Sequence, residues 1–293
     1  MKDIYKLYEQ YCESKDIPFQ LDTNVRPYDD TTLFCPAGMQ QFKDRFRETD
    51  GQTIANIQSC LRLKDLDEIG DGTHLLYFNM IGLFSFDGIS LKEAIDFWMD
   101  FVVNVLEVEV DVITLHSAKF DEWKCLYDDY GVTLKVDDDC RWTDGEIGGF
   151  CTEFYHQGVE IGNIVNPLGT SIDVGFGMER LETIVNGDKK YSPEEILQST
   201  ILKIIESGYW PGPQKQGYVL RSLLRRLYKL GGTLDHPFFE KEVERQRKAV
   251  ERYDRLKDKH QSRSREWWYE THGINIDEMD EDDNADSMLD KGE

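Results

Sequence analysis

An α+β fold is the expectation for this chain: an antiparallel sheet flanked by helices, followed by a helical module. Three observations lead there. Residues 54–86 hold two β-rich runs joined by a Gly/Asp-rich loop, which is the pattern of a hairpin. Residues 170–187 read as a short strand, a Gly-x-Gly break and a helix. From residue 188 the strand patterns stop, and helical periodicities follow at 192–207, 217–230 and 238–260. The expected division is therefore an α+β domain over 1–187, a helical module over 188–274, and an acidic tail over 275–293.

Taken in order, residues 2–14 form a helix with Ile4, Leu7, Tyr8 and Tyr11 on one face. A short strand is expected at 31–35, running into Pro36-Ala-Gly38 and a helical turn. The hairpin follows. Its first strand, from Ile54 to Leu61, ends in Arg62; a polar loop starts at Lys64 and Asp65 and closes at Gly72; the second strand carries Phe78 and runs to Phe86. Ser90-Leu-Lys-Glu93 is a capping box, and the helix it opens turns Ile95, Trp98, Met99 and Val102 inward. Residues 108–116 alternate as a strand, and 119–130 look helical. In the 170–187 stretch, Ile172 and Val174 alternate with Asp173, Gly175 and Gly177 remove two Cβ atoms, and Leu181, Ile184 and Val185 recur at helical spacing before Asn186-Gly187. Asp173 and Arg180 would then flank a patch of open backbone, a carboxylate for an ammonium and a guanidinium for phosphate.

Composition narrows the class. The 293 residues are 40% hydrophobic, enough for one large domain or a domain with a smaller companion. No apolar run reaches the ~18 residues of a membrane span, and the start is a polar amphipathic helix, unlike a signal peptide. Six cysteines without a CxxC pair suit reduced thiols in a cytoplasmic protein. Cys151 and His156 have a spacing that fits no standard zinc set. The net charge of −23 is uneven: residues 214–265 hold 15 Lys and Arg against 7 Asp and Glu, whereas 275–293 hold nine acidic residues and one Lys. A basic segment on an acidic body can bind a polyanion locally, and a solvated helix laced with ion pairs would give the same count.

The motif Asp-x-Gly-x-Gly-x-Glu-Arg at 173–180 resembles motif 3 of the class II aminoacyl-tRNA synthetases, in the form used by alanyl-tRNA synthetases. Upstream, Ala-Gly-Met at 37–39 followed by Gln-Phe-Lys-Asp at 41–44 resembles the alanyl first signature. Gln58 to Arg62 and Met80 to Phe86 resemble motif 2, a strand ending in arginine, a loop, and a strand with a stacking phenylalanine. The Trp142 loop, Cys-Thr-Glu at 151–153 and Ile-x-Asn-x-Val at 161–165 also resemble that family, as does Gly217 to Arg226, which opens its tRNA-facing helices. The resemblance covers roughly residues 4–279, closely over 30–98 and 140–187.

The resemblance implies ATP-dependent activation of alanine and its ligation to tRNA, on a class II synthetase-like sheet. Arg62 and Arg180 would be catalytic, Arg62 on the α-phosphate and Arg180 on the far end of a bent ATP. Asp65, Phe78 and Gly177 would complete the ATP site. Asp173 would take the ammonium, Asn163 would present an oriented amide, and Trp142, Val165 and Gly175 would shape a small side-chain pocket. Arg221, Arg225 and Arg226 would meet tRNA. Magnesium is expected with ATP, its ligands unassigned, with Glu153 a candidate. Read without the resemblance, the arginines suit surface ion pairs and Phe78 suits core packing equally well. Several positions depart from the family: the motif 2 loop is about four residues shorter by our alignment and lacks a Gly-Gly-Lys-His stretch, Asn79 replaces a glutamate, Gly162 replaces a tryptophan, the helical part is reduced, and no editing domain is present. The shortened loop leaves open a paralogue that adenylates a small amino acid for a non-tRNA acceptor, and a non-catalytic nucleotide- or tRNA-binding protein.

Overall fold

A computed structural model of the chain describes residues 1–72, 74–143, 145–187, 190–260, 263–272, 274 and 276. The acidic tail expected at 275–293 lies outside the described residues but for Ile276. Two compact units result. One comprises Met1–Asp29, Cys35–Cys60 and Phe78–Lys189; the other comprises Asp30–Phe34, Leu61–Tyr77 and Lys190–Glu293.

The first unit opens with α1 (Ile4–Ser14), capped by Asp3, whose carboxylate accepts from the Lys6 amide. After β1 (Phe19–Asp22), a 3₁₀ turn at Gly38–Phe42 and the single turn α2 (Arg45–Glu48), the strands β2 (Thr53–Leu61) and β3 (Tyr77–Ser85) form the expected pair. The predicted capping box of α3 (Leu91–Met99) is present in both directions. Next come β4 (Val112–Leu115), α4 (Ser117–Trp123), β5 (Thr133–Val136), β6 (Arg141–Thr143), β7 (Gly148–His156), β8 (Val159–Pro167), β9 (Ile172–Gly177) and α5 (Met178–Asn186).

Among the described residues the sheet has nine strands in the order β1-β2-β3-β9-β8-β7-β4-β5, with β6 on β7. Its centre is antiparallel, as expected, from β3 through β9, β8 and β7 to β4. The outermost pairs are parallel, β1 with β2 and β4 with β5. Parallel neighbours need a crossover, and α4 supplies it between β4 and β5. One face of the sheet buries the main core: Ile172, Val174 and Phe176 of β9 meet Trp98 of α3 and Tyr8 of α1. Trp98 stacks on Phe176 with ring centroids 4.3 Å apart. Each such side chain contributes about 1.5–3 kcal/mol by leaving water.

In the second unit, α6 (Pro193–Glu206) carries a second capping box, Ser192 with Glu195, and proline in its first turn. It is followed by α7 (Lys215–Lys229), α8 (Pro237–Leu256) and α9 (Arg265–His272). Ile201, Ile204, Leu220 and Leu224 are fully buried among these helices. The segments 30–34 and 61–77 pack with them: Gln216 donates to the Leu33 carbonyl at 2.8 Å, and the Lys203 ammonium lies 5.1 Å from the Tyr77 ring centroid. No helix among the described residues is long and apolar enough to cross a membrane.

Three local expectations are corrected. Residues 31–35 form turns, not a strand; Pro27 and Pro36 bracket the segment, and each withdraws a backbone donor. The strand expected over 108–116 is paired only over 112–115, because Glu107 takes a positive φ of 62° and Val108 donates back to the Val102 carbonyl. The alternation of Val108 and Val110 there reflects burial against the core. The helix expected over 119–130 starts at Ser117, behind a His116 cap, and tightens to 3₁₀ at Lys124–Tyr127.

Candidate functional site

The site is built on the sheet face opposite the main core. Alternation along β9 sends Ile172, Val174 and Phe176 into the core, so Asp173, Gly175 and Gly177 face the other way. Register then fixes their neighbours. Asp173 lies between Phe84 of β3 and Val165 of β8; Gly175 lies between Gly82 and Asn163; Gly177 lies opposite Met80. The Gly-x-Gly is therefore not the break that its sequence suggests. The strand runs unbroken to Gly177, and neither glycine has a positive φ. The glycines provide clearance: a Cβ on Gly175 would sit 3.0 Å from the Met80 sulfur, and one on Gly82 would sit 2.7 Å from Asn56 Oδ1.

Above this bare floor stands one carboxylate. Asp173 is buried to 8% exposure. Burial alone raises its carboxyl from 3.8 to about 7, with no charged or hydrogen-bonding side chain recorded against it. A buried acid with no counter-charge beside it costs free energy in its charged form, which marks Asp173 as a candidate functional residue. Val165 packs with Cys140, Cys151 and the half-buried Trp142, forming an apolar wall one strand away. Asn163, half-buried, projects beside Gly175. The sheet thus gathers all five residues expected for an amino-acid pocket.

Phe78 and Met80, two apart on β3, share this face. Arg180, in the first turn of α5, donates to the Glu160 carbonyl at 2.5 Å. Its neighbour Glu179 was not singled out from sequence, although it stands inside the quoted motif. Both its oxygens accept from the Asn79 backbone amide, at 3.0 and 2.9 Å, and Oε1 also accepts from the Asn79 side chain at 2.8 Å. Ser59 donates to Asn79 Oδ1 at 2.9 Å. Burial raises the Glu179 carboxyl to about 7 against the lowering effect of the Asn79 bonds. Asn79 supplies both a backbone and a side-chain donor to Glu179; a carboxylate at position 79 would face Glu179 without that side-chain donor. Met80 was also missed, and the signal for it was its two-residue spacing from Phe78.

In the second unit, Arg62 follows β2 and donates its backbone N–H to the Leu76 carbonyl at 2.9 Å. It precedes the 3₁₀ turn Leu63–Asp67, which holds Asp65. Burial raises the Asp65 carboxyl, and the Arg62 charge opposes that rise.

The expected tRNA arginines require correction. Arg221 Nε donates to both Glu242 oxygens at 3.1 Å, and Arg225 Nη1 to Oε1 at 3.1 Å, with the two arginines only 6% and 1% exposed. They are the buried half of an ion triad that fastens α7 to α8, so Glu242 already takes the charge of both, although Arg221 also lines the neighbouring cleft. Arg226 is partly exposed and lies 3.7 Å from Asp67. On α8, Lys241, Arg245 and Lys248 line a cleft of about 580 Å³ together with Arg221, Glu242, Glu244, Trp210 and Phe238. Trp210 is 67% exposed and meets Phe238 edge-on.

Cys151 does not join His156, whose Nδ1 lies 2.7 Å from the Glu109 carbonyl. It lies instead with Cys140 and Glu153. Glu153 is a poor magnesium ligand in that setting, since magnesium takes oxygen donors and the neighbours are sulfur.

A family model described as tRNA synthetases class II (A) matches residues 8–192. The alanine–tRNA ligase of Francisella philomiragia subsp. philomiragia is 27% identical over 338 aligned positions, covering 88% of this chain and 39% of that protein. Its counterpart in Francisella tularensis subsp. novicida is 26% identical with the same coverage. The chain thus spans about two fifths of the length of the curated relatives it matches. Among solved structures, apo histidyl-tRNA synthetase of S. aureus aligns at 12% identity over 65% of this chain and 67% of that one, with a TM-score of 0.42, too low to carry an argument.

Proposed function

The chain belongs to the class II tRNA synthetases, whose family model spans residues 8–192, and from that premise we propose that it activates alanine with ATP and ligates it to tRNA. The relatives named alanine–tRNA ligases support the choice of amino acid. The observation that carries the proposal is Asp173: a buried, unpaired carboxylate beside a glycine floor, walled by Val165 and Trp142. That arrangement suits a small zwitterion whose ammonium meets Asp173 and whose methyl meets Val165 and Trp142. Gly175 keeps the backbone close, Met80 closes the floor, and Asn163 orients the bound molecule.

In the first step a carboxylate oxygen of alanine attacks the α-phosphorus of ATP, and the bond to pyrophosphate breaks. The transition state gathers negative charge on phosphate oxygens, so placed cations and position account for most of the catalysis. Arg62 answers the α-phosphate, and Arg180 the far phosphates. Phe78 stacks on the purine, Gly177 lets the nucleotide approach the backbone, and Asp65 steadies the loop after Arg62. Magnesium would arrive with ATP, held mainly by phosphate and water, and we assign it no protein ligand. In the second step a terminal hydroxyl of tRNA attacks the adenylate carbonyl and AMP leaves. The tRNA would engage Lys241, Arg245 and Lys248 of α8 in place of Arg221 and Arg225. Alanine-dependent pyrophosphate exchange, followed by charging of total tRNA, tests the two steps separately. Exchange without charging would leave activation standing and remove the tRNA step.

A further inference from the structure

Behind the proposed amino-acid pocket lies a group of side chains that the activation chemistry does not use. Cys140 and Cys151 are both buried, at 0% and 3% exposure, and Cys151 donates its backbone N–H to the Cys140 carbonyl at 3.0 Å. Two residues along β7, Glu153 points to the same side. The two sulfurs and a Glu153 carboxylate oxygen all lie within 4.8 Å of one another, the one such convergence of ligand-type atoms among the described residues. We propose that Cys140, Cys151 and Glu153 bind a thiophilic divalent cation of the zinc class, as a three-ligand site with its fourth position left to water or an incoming donor.

The donor set is the first argument. Two sulfurs and one carboxylate match zinc and exclude magnesium or calcium, which demand oxygen throughout. Geometry is the second. Zinc–sulfur bonds of about 2.3 Å and zinc–oxygen bonds of about 2.0–2.2 Å in a tetrahedron put ligand atoms roughly 3.5–3.8 Å apart. The present separations, within 4.8 Å, approach that after side-chain adjustment alone. The surroundings are the third. Thr114, opposite Glu153 on β4, lies 3.0 Å from the Cys140 sulfur and donates to Glu153 Oε2 at 3.2 Å. Tyr155 donates to the same oxygen at 2.7 Å. These outer bonds hold Glu153 turned toward the sulfurs, as outer partners do around a carboxylate ligand. Glu153 is half-buried, which leaves an approach from solvent.

On binding, each thiol gives its proton to solvent as its sulfur–metal bond forms. The site is independent of which amino acid is activated. Its position is not incidental, however: Cys151 is paired with Val165, and Val165 with Asp173.

The test uses the full chain, stripped with a chelator under reductant and titrated with Co²⁺ and then Zn²⁺. The expected result is one equivalent of Co²⁺ with a thiolate charge-transfer absorption that Zn²⁺ bleaches. Cys140→Ser and Cys151→Ser should each weaken binding by at least ~100-fold, and Thr114→Val by ~10–100-fold, as for loss of an outer partner. Cys125→Ser, at the exposed cysteine, should bind as the parent does. Should the serine variants not fold, the wild-type cobalt spectrum decides alone. A cobalt spectrum without thiolate character, no stoichiometric uptake, unchanged affinity in Cys140→Ser, or a Cys140–Cys151 disulfide that survives reductant would each overturn the site.

Discussion

Replacing Asp173 with asparagine should make the protein more stable and a worse enzyme at once. A charge on Asp173 meets no compensating group in the free protein: its carboxyl is raised from 3.8 to about 7 by burial alone. A rise of that size is a penalty of roughly 4 kcal/mol on the charged form. The penalty is absent below pH 4, where folded and unfolded chains both hold the proton. It grows between about pH 4 and 7, where the unfolded chain ionises while the folded chain keeps its proton, and it is complete above about pH 8. Asp173→Asn removes it. The variant should therefore match the parent near pH 4 and exceed it by up to about 4 kcal/mol at pH 8, several degrees of melting temperature at ~2–4 °C per kcal/mol. The same change deletes the partner of an ammonium, a charged hydrogen bond of roughly 1.5–3 kcal/mol, so KM for alanine should rise about 10- to 150-fold while KM for ATP stays near the parent's. Thermal melts at pH 4.5 and 8 with steady-state pyrophosphate exchange measure both sides. A variant less stable than the parent at pH 8 would show Asp173 to be satisfied within the fold, and the reasoning would be refuted.

Three further outcomes follow from the packing. Glu242→Ala strands two buried guanidiniums, Arg221 and Arg225, and should destabilise the helical unit by about 3–5 kcal/mol in urea denaturation; a loss under 1 kcal/mol would return those arginines to the surface. Gly162→Ala drives a Cβ to 2.3 Å from the Phe176 ring, and overpacking of about 1–3 kcal/mol should appear as a lower urea midpoint. Arg245→Gln with Lys248→Gln should weaken tRNA binding and flatten its salt dependence by about two counterions, while tRNA-independent exchange stays unchanged; filter binding at several salt concentrations reads the slope.

What the sequence disclosed depended on how local the cause was. Asp173, Val165 and Asn163 could be singled out because each stands in a motif on an alternating strand, whereas their meeting in one row rests on the sheet order β3-β9-β8, which no motif states. Only the break expected at Gly175 and Gly177 was a misreading, because their requirement is not local: no φ there needs glycine, and the constraint at Gly175 comes from Met80 on the neighbouring strand, 95 positions away in the chain. Arg221 and Arg225 were misread for a similar reason. A count of charges along a basic segment cannot see that Glu242, on the next helix, buries itself between them. The Cys140–Cys151–Glu153 group was invisible because β6 has three residues and no alternation to announce it, yet its pairing with β7 is what sets the two cysteines side by side. Glu179 shows the opposite case, a residue quoted within a motif whose partner, Asn79, could be named only once β3 and α5 were placed.

The proposal that this chain activates alanine is tested most directly by pyrophosphate exchange with each of the twenty amino acids, in the absence of tRNA, beside an Arg62→Ala control. The account predicts exchange that depends on alanine, falls off for larger side chains, and disappears in Arg62→Ala protein that a thermal melt shows to be folded. A folded parent protein that exchanges with none of the twenty, or an Arg62→Ala protein that exchanges as the parent does, would contradict it.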